Sequence, residues 1–454
     1  MGAVPGTIET EQRPPMALPL RHFVVGLGFL FAGAVVGIGV AVDAVPGLGT
    51  LAHVHLLLAG WVCLTIMGAM TQFVPVWSGT TLHSQRLASA QLPLVVVGLV
   101  GFVTSLLLNS FTWLVPFGGL MLAGFWAFVY NVTRTLLTLD NYDVTERHFL
   151  LALGFFALLA PLGLLLALDF TRPVFTSVAV SRPNVVAMHA TVAVFGAILT
   201  TVYGALYQLG TMFTQTDLHG VDEYLQPIEA VGHPVGVVLL AVGRLLDAVL
   251  VARLGAALVL VAALAFGAIL GRKLYEMQVA WTPMHTRYAV VVPGLVAWAL
   301  LTAPAWLSAP TAPTHRFGAP EAVHLLALGT IGFVVLGTLY HIVPFIIWVH
   351  RYSDRLGLED VPMIDDLYSD TLATADATLL VSGTLLLVAS EAGLFPSTLR
   401  LVGGGLVTLG TLVFGANMLL VVRRHSPHSV GRILVGSLDP RQKTAPTGDA
   451  PVRE

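Results

Sequence analysis

The sequence predicts an all-α membrane protein of about twelve transmembrane helices, and three observations carry that prediction. The chain is 56% hydrophobic and only 10% charged, whereas soluble domains carry about 25% charged residues. Its mean hydropathy is +0.84. Apolar stretches of about 20 residues, each enough to cross a bilayer core, follow one another almost end to end through its 454 residues.

In chain order these stretches lie near 22–42, 50–77, 89–109, 111–134, 147–168, 183–210, 225–243, 248–271, 285–307, 319–349, 371–391 and 397–422. The seventh and eighth are closely interrupted by Arg244, Asp247 and Arg253. The tenth is long and is expected to tilt or to extend beyond the bilayer. Residues 1–20 are polar and carry no charged-then-apolar signal pattern, so they are expected to be a cytoplasmic tail. Residues 425–454 form a second one, leaving 21–424 as a single membrane domain. Arg86, Arg147, Arg272, Lys273, Arg351 and Arg423 fall on the side shared by both termini. The opposite side holds fewer cations, so the positive-inside rule places both termini in the cytoplasm and the protein in the cytoplasmic membrane as a multi-pass chain. A net charge of −3 argues against a nucleic-acid partner. A single cysteine, Cys63, excludes a disulfide framework and a cysteine-based zinc or iron–sulfur site.

Three segments repeat a pattern: HVHLLLAGWVCLTIMGAMTQFVP from His53, HATVAVFGAILTTVYGALYQLG from His189, and AVHLLALGTIGFVVLGTLYHIVP from Ala322. They align on glycine pairs, Gly60/Gly68, Gly196/Gly204 and Gly329/Gly337. RHFVVGLGF from Arg21 and RHFLLALGF from Arg147 echo one another at the start of the first and fifth helices. The chain therefore reads as three pseudo-symmetric four-helix units, near 21–134, 147–271 and 285–424, and repeats of this kind place functional sites at their interfaces. Close helix packing accounts for each glycine alone, but not for histidines at a fixed offset, which are rare inside apolar spans and point to function.

In this alignment the second helix has histidine at both key positions, His53 and His55. The sixth keeps His189, with Thr191 at the second position, and the tenth keeps His324, with Ala322 at the first. Two residues along a helix is a rotation of about 200°, so His53 and His55 face opposite ways and can serve different centres. Around a threefold axis one packing sense pairs His55 with His189 and His324 with His53; the other pairs only His189 with His324. A bis-imidazole pair suits a low-spin haem, with Gly60 and Gly329 letting the ring plane approach the backbone. Copper also suits two or three imidazoles, and zinc suits them less.

HVH followed by AGWV, then Gly68 and Pro75, resembles the tenth helix of subunit I in haem–copper oxidases, especially the cbb type. That family has twelve helices in three arcs, and its H-x-H helix binds the active-site haem with the first histidine and a low-spin haem with the second. The resemblance implies that His324 pairs with His53. It also exposes departures: Ala322 stands where the active-site haem ligand would be, the seventh helix offers only His233, and the sixth lacks a histidine–tyrosine pair. A histidine pair early in the second helix is similar to NnrS-type haem–copper membrane proteins associated with nitric oxide.

Other polar residues are secondary candidates. Glu229 and His233, one turn apart, suit a proton relay, a second metal site, or a buried pair. His341 suits a further metal centre, although its repeat equivalents Gln72 and Gln208 suggest a structural polar ring. Tyr207 and Tyr340 are expected to pack or anchor, and His22 and His148 to be interfacial. The expected cofactor set is therefore haem, with haem or copper at a second centre. Expected partners are the lipid bilayer, oxygen or nitric oxide as small ligand, and a redox partner such as a small cytochrome, cupredoxin or quinol. The alternatives are a haem or metal carrier, sensor or assembly factor, and a transporter whose histidines bind substrate or protons.

Overall fold

The computed structural model describes residues 15–176 and 180–436, so the outer parts of both expected tails lie outside the described residues. Twelve helices are long and apolar enough to span a bilayer: α1 (Ala17–Ala41), α2 (Gly49–Trp77), α3 (Gln85–Leu107), α4 (Phe111–Leu136), α5 (Val144–Asp169), α6 (Arg182–Thr214), α7 (Asp222–Leu245), α8 (Val249–Tyr275), α9 (Pro283–Ser308), α10 (Leu325–Arg351), α11 (Asp370–Glu391) and α12 (Thr398–His425). A short α13 (Val430–Val435) follows. The shortest span, α11, has 22 residues and rises about 33 Å, enough for a hydrocarbon core of about 30 Å. Among the described residues there is no strand, only an isolated bridge between Leu356 and Glu359. The chain is an all-α, multi-pass membrane protein.

Helix boundaries depart from the apolar stretches where a charge is satisfied by protein. α1 begins at Ala17 rather than after Arg21, because Arg21 donates to the Ile433 carbonyl (2.6 Å) and the Gly436 carbonyl (2.8 Å). Both expected tails are shortened by that contact. The turn between α7 and α8 forms at Asp247 (φ +51°), while Arg244 is buried inside α7. α10 starts later than expected, after a 3₁₀ turn at Pro320–Ala322.

The packing closes a ring. Within each four-helix unit the third and fourth helices form a hairpin, and the fourth packs on the first helix of the next unit: α4 on α5, α8 on α9 and α12 on α1. The second helices are the inner ones. The central stretches of α2, α6 and α10 are 67%, 78% and 83% buried, against at most 50% in every other span. A small apolar cavity of about 70 Å³ lies among them, lined by Ile66, Val202 and Val335 at one repeat position and Ala69, Ala205 and Thr338 at another.

The backbone repeats in the same phase as the sequence. Each inner helix widens into an eight-residue π-helical segment: Leu56–Cys63, Val192–Leu199 and Leu325–Gly332. Each segment begins four residues before the first glycine of its pair. Such π segments are rare and cluster at functional sites. The first glycines are packing devices: a Cβ on Gly60 would meet the Phe29 ring at 2.7 Å, one on Gly196 the Phe155 ring at 2.7 Å, and one on Gly294 the Gly329 carbonyl at 2.8 Å. Gly60 therefore faces the first helix of its own unit, whereas a Cβ on Gly329 would meet Leu325 at 3.3 Å and Thr384 of α11 at 3.9 Å.

The second glycines admit a polar residue from that same helix. A Cβ on Gly68 would meet His22 Cβ at 2.7 Å, one on Gly204 would meet His148 Cβ at 2.6 Å, and one on Gly337 would meet Arg287 Cβ at 3.1 Å. His22 and His148 are thus buried within the protein. Each leads into a polar cluster completed by the second and third helices of its unit. In the first unit Gln91 reaches His22 Nε2 (3.2 Å) and Thr71 (3.3 Å). In the second, His148 Nε2 meets Glu229 (3.2 Å) and the Tyr207 hydroxyl donates to Glu229 (2.7 Å). In the third, Arg287 and the Tyr340 hydroxyl both donate to Asp376. Tyr207 and Tyr340 are therefore hydrogen-bond donors to carboxylates as well as packing groups.

Candidate functional site

The four histidines sit within the first turns of the inner helices or just before them, at the face opposite the chain ends. His53 and His55 lie in the first turns of α2, His189 in the second turn of α6, and His324 immediately before α10. The structure brings His53 together with His324, since both line one cavity and lie within electrostatic reach of each other. It brings His55 together with His189. His189 and His324 do not form a pair, so the packing sense is the one that yields two histidine pairs.

Each first-position histidine has a glycine behind it. A Cβ on Gly37 of α1 would stand 2.5 Å from His53 Cε1, and one on Gly163 of α5 would stand 3.1 Å from His189 Cε1. Gly37 and Gly163 occupy one repeat position, fifteen residues beyond His22 and His148. The corresponding residue in the third unit is Thr302, and there the first position is Ala322. No ring has to be accommodated, and the Thr302 hydroxyl instead accepts from the Ala319 amide (3.2 Å).

Second positions are met by the end of the third helix of each unit. Glu391 of α11 binds His324 Nδ1 (2.5 Å), and Arg244 of α7 donates to the Thr191 hydroxyl (2.7 Å). Glu391 and Arg244 are repeat equivalents, fifteen residues beyond Asp376 and Glu229. In the first unit the equivalent is Leu106, and His55 packs instead on the Phe102 ring, centroids 5.2 Å apart. None of these partners stands in a recognisable motif. Extending the repeat from the inner helices to the outer ones is the signal that finds them.

The cavity shared by His53 and His324 holds about 640 Å³ and lies among α1, α2, α10, α11 and α12, within the range of small-molecule and cofactor sites. Its walls are mostly apolar, with Glu391, Arg400, Asp43 and Trp61 as further polar or amphipathic members. His53 Nδ1 donates to the Gly33 carbonyl (2.8 Å), and His324 Nδ1 is held by Glu391. Both imidazoles are thereby fixed in the tautomer that leaves Nε2 as a lone-pair donor, the arrangement found around metal-ligating histidines. The Trp61 indole N–H is buried without a partner. At the second pair, His55 Nδ1 donates to the Leu51 carbonyl (2.8 Å), while His189 Nδ1 is turned toward the Leu159 carbonyl without a hydrogen bond of normal geometry.

The interface between Thr191 and Ala322, where an oxidase would hold its active-site haem, is built differently. Both residues are fully buried. Beside Thr191, the Arg244 guanidinium donates to the carbonyls of Pro310 (3.0 Å), His315 (2.9 Å) and Arg316 (3.0 Å) and stacks over Trp306 (5.2 Å). Trp298, Trp306 and Phe195 pack against one another there.

The secondary candidates separate. The two carboxylate oxygens of Glu229 are taken by His148 and Tyr207, while His233 Nε2 donates to the Phe195 carbonyl (2.9 Å). His341 packs against Phe213 (4.3 Å) and stacks on Phe345 (5.8 Å) near the face of the chain ends, away from His53, His55, His189 and His324. Among the described residues no group of three His, Cys, Asp or Glu side chains is arranged to hold a metal ion. The sequence matches no protein-family model and no curated protein, so the chemistry of the site rests on its geometry.

Proposed function

We propose that the chain binds haem in the cavity between α2 and α10, where His53 and His324 would hold it. We further propose that it serves electron transfer or oxygen or nitric oxide chemistry in the cytoplasmic membrane. One observation carries the reading: two imidazoles from different repeat units line one cavity of about 640 Å³, each held through Nδ1 so that Nε2 is free. Haem so bound supplies one-electron chemistry, while the protein supplies ligands, orientation and electrostatics. Gly37 leaves His53 room to seat its ring, and Glu391 fixes the rotation of His324 through Nδ1. A small cytochrome, a cupredoxin or a quinol is the class of redox partner this reading requires.

The protein purified from membranes is expected to contain iron and to show the absorbance of a bis-histidine haem. Haem-free protein that gains no such absorbance when haem is added overturns the reading and leaves a transporter. Turnover of oxygen or nitric oxide with a reductant separates an enzyme from a carrier or assembly factor. Replacing Glu391 by glutamine keeps the shape but removes the charge behind His324. A loss of haem affinity of about 10–100-fold is expected, read by competition with apomyoglobin.

The same reading gives His55 and His189 a second centre, haem or copper, and puts any gas chemistry between α2 and α6. Its support is the mutual proximity of the two imidazoles and the free Nε2 of His55. The Thr191–Ala322 interface offers no imidazole in either position. Replacing His189 by alanine is expected to change gas binding to the reduced protein while sparing the His53–His324 spectrum. Spectra and activity untouched by that substitution sink the two-centre scheme.

A further inference from the structure

The three inner polar clusters occupy one repeat position and differ in whether a proton can move. In the first unit His22 Nδ1 donates to the Leu18 carbonyl (2.8 Å), and Nε2 accepts from the Gln91 amide. That imidazole is neutral, and neither Gln91 nor Thr71 titrates. In the third unit Arg287 faces Asp376, and an arginine does not give up its proton in a protein. The second unit is of another kind. His148 Nδ1 lies 2.6 Å from the Val144 carbonyl and Nε2 lies 3.2 Å from the Glu229 carboxylate. Both ring nitrogens face acceptors, so a proton is held between His148 and Glu229 and sits on one or the other.

The surroundings suit a gain or loss of charge. Glu229 and His148 are 0% and 1% exposed. The titratable groups facing Glu229 are His148 from α5, Tyr203 and Tyr207 from α6, and His233 from its own helix. α8 contributes the Phe266 ring against both tyrosines. The Tyr203 hydroxyl and His233 Nδ1 are buried without hydrogen-bond partners. Two turns before Glu229 on the same face of α7, about 10 Å away, Asp222 pairs with Lys273 (3.0 Å). Lys273 also meets Glu276 (2.9 Å), and Glu276 meets the half-exposed His219 (3.2 Å). Ionisable groups thus run from the face of the chain ends to within two turns of the pair.

We propose that Glu229 and His148 form a proton-binding site inside the membrane, which takes up and releases a proton through the face that carries the chain ends. On uptake the pair passes from neutral overall, carboxylate with imidazolium, to carboxylic acid with imidazolium. The proton comes from water, and no electron or other bond is involved. This inference does not rest on the haem reading.

Infrared spectra of the purified full-length protein, recorded across a pH titration, test it. A protonated-carboxyl band should rise as pH falls, shift in deuterium oxide, and be missing from Glu229→Gln. Persistence of the whole titrating band in that variant, or its absence from the wild type, overturns the proposal, and so does a band that follows sodium concentration instead of pH. If Glu229→Gln fails to fold, Tyr207→Phe supplies the test, because it removes one donor to the carboxylate and no charge. Its band should move in frequency; a folded Tyr207→Phe with an unchanged band also overturns the proposal.

Discussion

If His53 and His324 hold haem as proposed, replacing His324 by alanine is expected to reduce haem content to below about a tenth of the wild-type level, because the imidazole would supply much of the anchoring in a mostly apolar cavity. The substitution also strands Glu391, whose Oε1 is held by His324 Nδ1 and whose Oε2 already lacks a partner. His53→Ala should have the same effect, since the two imidazoles serve one cavity. His341→Ala is the control, because that ring packs against Phe213 and Phe345 away from the cavity. The readout is the haem-to-protein ratio after purification. Haem loss confined to His341→Ala would move the cofactor to the other face of the protein.

Arg287→Met is expected to destabilise the fold by about 3–5 kcal/mol, the range for breaking one partner out of a buried ion pair. Arg287 donates to the carbonyls of Pro283 (2.8 Å) and Ala373 (2.7 Å) as well as to Asp376, and its guanidinium lies 4.3 Å from the centre of the Tyr340 ring. Without it, a carboxylate that is 0% exposed keeps only Tyr340 as donor. The double variant Arg287→Met/Asp376→Leu should recover most of that loss, because removing both charges leaves nothing to desolvate. Unfolding in mixed micelles measures both, and equal losses in the single and double variants would show that the carbonyl contacts, not the ion pair, hold α9 to α11.

The pseudo-symmetry explains why the two experiments address different things. At each repeat position the backbone geometry is shared and the side-chain chemistry is not. Where the first position is histidine, the preceding helix offers glycine, as at Gly37 and Gly163; where it is Ala322, the preceding helix offers Thr302. Where the second position is His324, the third helix offers a carboxylate; where it is Thr191, it offers Arg244, which fills the space and binds three loop carbonyls. Coupled changes of this kind are expected when ring volume and charge inside a membrane must be matched by the facing helix.

By itself the sequence determined the class and the phase. Twelve apolar runs of bilayer length leave no alternative to helices, because each unpaired backbone group in hydrocarbon costs several kcal/mol. The glycine pairs fixed which residues correspond, and the π-helical segments fall on that register. Only the tertiary structure decided the rest. Opposed faces of one helix allow either packing sense, and only the ring of helices sets His53 beside His324 and His55 beside His189. Arg21, Arg244 and His148 look interfacial in one dimension, because a hydropathy pattern registers charge but not the carbonyls and carboxylates that satisfy it from segments as distant as 415 residues. The site is an interface between repeats, and its physical content, which nitrogen is tied and which is free, exists only once those repeats are packed.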